Sequence, residues 1–233
     1  MSRLLLVAGL LLVPAWVAAK PLRPNPEREL LEKHWGVAVD PERDSTFRAD
    51  RDGLRIIVPG KPRVMSVEIG KTNAPRVLRE LDGDFSVEVK VSGAFPTDPR
   101  CLVEGRWPYH GAGLLVWQDD RNYVRLERAH MHLPSGLWRC YPAWEMRQDG
   151  KMVRAWQPSD GLLDEAKPAY LRIVRKAEVL TGSYSQDAKD WRELPPLQVD
   201  FGRRMRVGVE ALQNTPSGME ALFEGLKIAA PAK

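Results

Sequence analysis

Apolar and β-branched residues recur along this chain in short runs parted by Gly, Pro, Asp and Asn, at 54–58, 64–69, 85–91, 111–129, 171–174, 179–184, 205–212 and 221–228. Within FSVEVKV, Phe85, Val87, Val89 and Val91 fall on one face, the period of two that a half-buried strand requires. The preceding Leu81-Asp82-Gly83-Asp84 has turn chemistry. ERELLEK at 27–33 is the one good helical turn. Short strands at this spacing predict an all-β sandwich, and no internal repeat or second domain boundary interrupts it.

The longest patterned stretch, GAGLLVWQDDRNYVRLERA at 111–129, predicts a β-hairpin closed by a four-residue polar turn. In its second arm Val124 and Leu126 point one way and Tyr123, Arg125 and Glu127 the other. An aromatic, a cation and a carboxylate in one row either grip a polar ligand or form a solvated face. Trp117 lies in the first arm, which is apolar on both faces. Arg172 and Tyr184 come from later strands, and if these strands are neighbours in one sheet the residues make a polar and aromatic patch. A second candidate is the set Trp107, Tyr109, Trp138, Tyr141, Trp144 and Trp156, which the prolines, glycines and charges around them assign to irregular loops.

If Gln118 faces Tyr123, the same register sets Cys101 opposite Cys140 and His110 opposite Met131. The two cysteines then predict a disulfide at the hairpin base, provided the chain is exported. His110, His130 and His132 gather at the open end, where imidazoles could hold zinc or copper. Asp119, Asp120 and Asn122 offer oxygens to calcium. Loop histidines and a plain turn account for both groups more simply, so the expectation is no cofactor and no metal.

The N-terminus sets the expected compartment. Arg3 precedes an apolar run at 4–13 too short to span a bilayer, and Val17-Ala18-Ala19 supplies small residues for cleavage. Residues 1–19 therefore read as a secretory signal peptide, 20–34 as a proline-rich lead-in, and 35–230 as the β-sandwich domain. The mature chain would be periplasmic or extracellular, with no stable membrane anchor. The formal charge of +4 on 233 residues drops by one with Arg3, and without a Lys/Arg block this argues against nucleic acid.

Taken in order, GDFSVEVKV, AGLLVWQDDRNYVRLERA, YLRIVRK, SYSQDAKDW, RVGVEAL and EALFEGLKI resemble a bacterial family of uncharacterised domains with a concanavalin A-like lectin/glucanase fold. That family is related to the C-terminal accessory domains of β-xylosidases. The resemblance covers about residues 35–228 and implies a two-sheet antiparallel jelly roll with a concave face that sugar-binding relatives use. One departure stands out: where the family has serine, any residue, aspartate, glycine before a tryptophan, this chain has Ser185-Gln186-Asp187-Ala188 and then Trp191. Alanine there lacks the freedom of glycine at positive φ.

Catalytic motifs are missing. Glycanases of the same general fold carry Glu-x-Asp-x-(x)-Glu on one strand, but Glu127 has Arg125 and Ala129 as its same-face neighbours. Gly-x-Ser-x-Gly is absent as well. The expectation is an exported non-catalytic domain that binds carbohydrate or a related polar ligand through Trp117, Tyr123, Arg125, Glu127, Arg172 and Tyr184. A glycan-active hydrolase and an envelope protein-interaction module are the alternatives.

Overall fold

The computed structural model describes residues 26–95, 98–156 and 162–229. Residues 1–19, read above as a signal peptide, and the first six residues of the lead-in fall outside them. A helix, α1 (Pro26–His34), comes first, where sequence reading places its one helical turn. Strands follow in the order β1 (Val37–Val39), β2 (Thr46–Ala49), β3 (Gly53–Val58), β4 (Met65–Ser66), β5 (Lys71–Thr72), β6 (Arg76–Asp82), β7 (Phe85–Ala94), β8 (Tyr109–Asp119) and β9 (Asn122–His132). They continue as β10 (Trp138–Gln148), β11 (Lys151–Trp156), β12 (Ala169–Lys176), β13 (Val179–Ser185), β14 (Arg192–Glu193), β15 (Leu197–Gln198), β16 (Arg204–Gln213) and β17 (Met219–Ala229).

Two antiparallel sheets make the sandwich. One runs β1-β6-β16-β8-β9-β10-β11, the other β14-β13-β12-β7-β17-β3-β2 with β15 beside β13. Alternation decides what lies between them: Ala112, Leu114, Val116, Val124, Leu126, Val207 and Val209 from the seven-stranded sheet meet Leu54, Ile56, Val87, Val89, Leu171, Ile173 and Phe223 from the other. This is the lectin/glucanase-like jelly-roll sandwich that the strand spacing and the resemblance imply.

The structure corrects the sequence reading in three places. First, 138–148 and 151–156 are strands, not loops. Pro142 makes β10 unlike a central strand, but β11 pairs with β10 only from Trp144 onward, so the edge beside Pro142 stays open. Arg76–Asp82 is likewise a strand that the charges in RVLRELD conceal.

Second, a bulge between Trp117 and Asp119 moves the hairpin register by one: Tyr123 faces Trp117, and His110 faces His130 instead of Met131. An extra residue at such a bulge changes every pairing behind it.

Third, Cys101 and Cys140 are free thiols. The β8 ladder starts only at Tyr109, and the chain before it turns toward the end of β16, where Leu102 N–H donates to Asn214 O at 2.8 Å. Cys101 bonds locally, its thiol donating to Val103 O at 3.3 Å. Cys140 lies in the core, in register with His130.

Candidate functional site

The outward face of the seven-stranded sheet is built as rows across its strands. Glu210, Gly113, Glu127 and Ala143 make one row; Gly208, Leu115, Arg125 and Glu145 make the next; Arg206, Trp117, Tyr123 and Arg147 the third; and Leu212, Gly111, Ala129 and Tyr141 the fourth. Small residues alternate with charged ones, which leaves space above Gly111 and Gly113 for neighbouring side chains. A Cβ on Gly113 would stand 2.6 Å from Glu127 Cα.

This face is roofed. The segment from Met65 through Thr72 folds back over it, and Met65 and Val67 pack with Leu115, Trp117, Tyr123 and Leu212 in a second apolar cluster. Tyr123 Oη accepts the Val67 N–H at 3.2 Å. Glu68 fastens the roof, with Oε1 3.4 Å from Arg147 Nη2 and 3.1 Å from Arg106 Nη2. Tyr123, Arg125 and Glu127 do face away from the core as the hairpin pattern requires, yet all three are buried.

Beneath the roof lies a network of acids and guanidiniums. Glu145 accepts from both Arg125 and Arg147. Burial pushes its carboxyl up, but the two arginines outweigh burial and hold it down at about 2. Glu127 Oε2 accepts from Tyr109 Oη at 2.7 Å, and its Oε1 is 3.6 Å from Arg125 Nη1. Burial raises the Glu127 carboxyl against the pull of Arg125, and Glu145 adds repulsion. Glu210, across Gly113, is raised well above the usual carboxylate range by burial and then by Glu127. The same burial lifts Tyr109 well above its ordinary value.

One side of the network opens into a cavity of about 310 Å³. Arg106, Arg125, Arg147, Glu145, Tyr109, Tyr141 and Asn214 supply its polar wall; Trp107, Val103, Ile69, Met131, Met152 and Leu212 supply the apolar one. Trp107 is half exposed at the mouth. Asn214 is fixed from behind, its Nδ2 donating to Trp107 O at 2.8 Å and its Oδ1 accepting from Tyr109 N–H at 2.7 Å.

The sequence-predicted ligand residues therefore divide. Arg125 lines the cavity, and Glu127 stands behind it, bonded to Tyr109. Trp117 and Tyr123 are stacked at 5.2 Å under the roof, with Arg76 over the Trp117 ring at 4.4 Å. Arg172 and Tyr184 belong to the opposite sheet, so the condition that their strands neighbour the hairpin is not met. Arg172 bonds Glu88 at 2.7 Å and covers Trp191 at 3.8 Å, and Tyr184 packs in the sandwich core.

Glu145, Arg147, Arg106, Glu210 and Asn214 escaped sequence reading, whereas Trp107, Tyr109 and Tyr141 of the second candidate set line the cavity. The alternation Arg139, Tyr141, Ala143, Glu145, Arg147 in WRCYPAWEMRQ carries a strand signal, obscured by Pro142. Glu210 sits in VGVEAL opposite in phase to Val207 and Val209, a second usable signal.

At the three histidines, His110 Nε2 is 2.9 Å from Thr215 Oγ1, His130 packs edge-on to Phe95 at 5.3 Å, and His132 lies tilted against Trp138 at 4.8 Å. Among the described residues no three His, Cys, Asp or Glu side chains are placed to hold a metal ion. Asp119 closes the hairpin turn, accepting from Arg121 N–H at 2.8 Å and Asn122 Nδ2 at 2.9 Å. In the Ser185–Trp191 turn, Ala188 keeps the left-handed conformation at φ 62°. Asp187 accepts from Ser185 Oγ and from the N–H groups of Lys189 and Asp190, and those bonds hold its carboxyl down at about 2.

No protein-family model matches the chain, and no curated protein matches it. Among solved structures it is similar to a functionally unknown protein from Saccharomyces cerevisiae, at 15% identity and TM-score 0.64, over 86% of this chain and 98% of that one. It is similar also to a xylan β-1,4-xylosidase from Bacillus halodurans, at 15% identity and TM-score 0.55, over 92% of this chain and 41% of the enzyme. A legume lectin-like domain from Entamoeba histolytica matches at 11% identity and TM-score 0.53, over 88% of this chain and 93% of that domain. At these identities the likeness is one of fold.

Proposed function

We propose that this protein is a non-catalytic, lectin-like carbohydrate-binding domain whose ligand enters the cavity over Arg125, and that it works outside the cytoplasm. The observation that carries the reading is the cavity itself, where a half-exposed Trp107 and the rings of Tyr109 and Tyr141 stand beside Arg106, Arg125, Arg147, Glu145 and Asn214. Sugar sites have this make-up, with apolar planes for the C–H face of a pyranose and fixed polar groups for its hydroxyls. The likeness in fold to a lectin-like domain and to part of a xylosidase agrees with it.

Two points favour binding over hydrolysis. A glycosidase needs two carboxyl groups about 5–9.5 Å apart across its substrate, and among the described residues only Glu145 lines the cavity. Held at about 2 by two arginines, Glu145 is too weak a base and too strong an acid to shuttle protons near neutral pH.

A glycan-array screen of the purified protein, with hits titrated by tryptophan fluorescence, tests the reading. Trp107→Ala is expected to weaken a hit about tenfold, since an aromatic contact contributes about 0.5–1.5 kcal/mol beyond its area. Absence of binding to every glycan by the folded protein would overturn the reading in favour of a protein partner.

A further inference from the structure

The charges that line the cavity do not balance. Three guanidiniums line it, those of Arg106, Arg125 and Arg147, against the single lining carboxylate of Glu145. Glu68, at the roof, is divided between Arg106 and Arg147. Glu127 lies behind the wall with one oxygen taken by Tyr109, and Glu210 lies behind Glu127; Arg76 adds a further cation there. Burial first, and then the repulsion of Glu127 on Glu210, raises both carboxyls and opposes their ionising together.

Arg125 is the guanidinium of the cavity wall left short, as Glu127 Oε1 and both Glu210 oxygens are behind it. Its side chain is only 4% exposed, and one terminal nitrogen, Nη2, is committed to Glu145. Nε and Nη1 have no hydrogen-bond partner, and Nη1 is 3.6 Å from Glu127 Oε1. A buried guanidinium with open donors is costly unless a ligand satisfies it. A carboxylate accepts two parallel N–H bonds from one edge of the planar guanidinium, where an open Nε or Nη1 is joined by the second N–H of Nη2. Beside it, the apolar wall of Trp107, Val103, Ile69 and Met131 offers a surface for a ring. A volume of about 310 Å³ is at the small end of ligand sites, suited to one sugar residue.

We propose that the sugar recognised here is acidic, a uronic acid residue whose carboxylate is seated on Arg125 between Arg106 and Arg147. This rests on the carbohydrate-binding reading and narrows it to one chemical class.

The test is calorimetric titration with three probes: a glucuronic acid-substituted xylo-oligosaccharide, the same compound after reduction of its carboxyl to the alcohol, and a sulfated analogue. The acid form is expected to bind at least tenfold more tightly than the reduced form, and its affinity to fall with added salt. Equal affinity for the acid and reduced forms overturns the acidic-sugar inference while leaving carbohydrate binding in place. Stronger binding of the sulfated analogue overturns the carboxylate in favour of a sulfate. No binding of any probe, together with an empty glycan array, removes both readings.

Arg125→Lys keeps the charge and loses the fork, so the preference for the acid form should collapse in a variant that still melts cooperatively. Full retention of the preference there overturns the seat on Arg125. Should that variant fail to fold, Arg106→Ala at the more exposed rim reads the same preference, expected to shrink severalfold; an unchanged ratio counts against the proposal.

Discussion

Gly113 shows how one residue sets the chemistry around it. It stands between Glu210 and Glu127, and a Cβ there would meet Leu126 O at 1.9 Å. Gly113→Ala is therefore expected to destabilise the fold by about 3 kcal/mol or more, at the upper end of overpacking costs, measured by urea denaturation. Without a side chain at 113 the two carboxyls come together. Their folded pKa values are raised above the ordinary 4.5. The native state thus keeps protons that the unfolded chain releases: this contribution is complete below about 4.5 and is lost as pH rises through the folded values. Melting temperature between pH 7 and 9, above the range where the histidines titrate, should fall toward alkaline pH in the wild type and fall less in Glu210→Gln, which cannot ionise. Ala188, at φ 62°, makes the opposite case. Replacing it with glycine removes a left-handed strain of about 1–2 kcal/mol, so Ala188→Gly should raise stability by up to about 1 kcal/mol in the same denaturation assay, after the entropy cost of glycine.

At the scale of elements, the roof and the bulge matter most. Tyr123 and Glu68 tie the Met65–Thr72 segment to the sheet. Loss of a single neutral hydrogen bond costs about 1 kcal/mol, so Tyr123→Phe should lower stability by about that amount. The bulge at Gln118 shifts the register on which the disulfide expectation rested. With Cys101 carried toward Asn214 and Cys140 facing the core, thiol titration of the unfolded chain should find two free thiols, and reductant should leave the melting temperature unchanged.

On the scale of the whole molecule, the acid side of the stability curve belongs to groups inside both faces of the seven-stranded sheet. Burial lowers His110 to about 4 and His130 to about 3, with Arg128 and His110 adding to the effect on His130. Both imidazoles are neutral in the fold. Below 6.5 the unfolded chain takes up protons that the folded histidines refuse, so stability falls as pH drops from 6.5 toward 4 and 3. Glu145, held at about 2, adds a further loss below about 4.5. Each histidine represents about 3 kcal/mol or more at 1.36 kcal/mol per pH unit. Thermal unfolding across pH 3–9 should show a maximum near neutrality, and His110→Gln, which keeps a partner for Thr215, should flatten the acid limb.

The alternation of side chains was enough to determine that the chain is an all-β sandwich, to place strands at 85–91 and 221–228 inside the observed Phe85–Ala94 and Met219–Ala229, and to turn Tyr123, Arg125 and Glu127 away from the core. These are local consequences of a period of two, written into neighbouring residues. Tertiary structure decided the rest. Which strands share a sheet separated Arg172 and Tyr184 from Arg125; one bulged residue re-paired the hairpin and parted the cysteines; and a distant segment, Met65–Thr72, roofed a face that alternation alone leaves open to water. Glu145 and Glu210 joined Glu127 through pairings 18 and 83 positions away along the chain. No local pattern encodes such separations, because they depend on strand order and register, which only the packed sheet fixes.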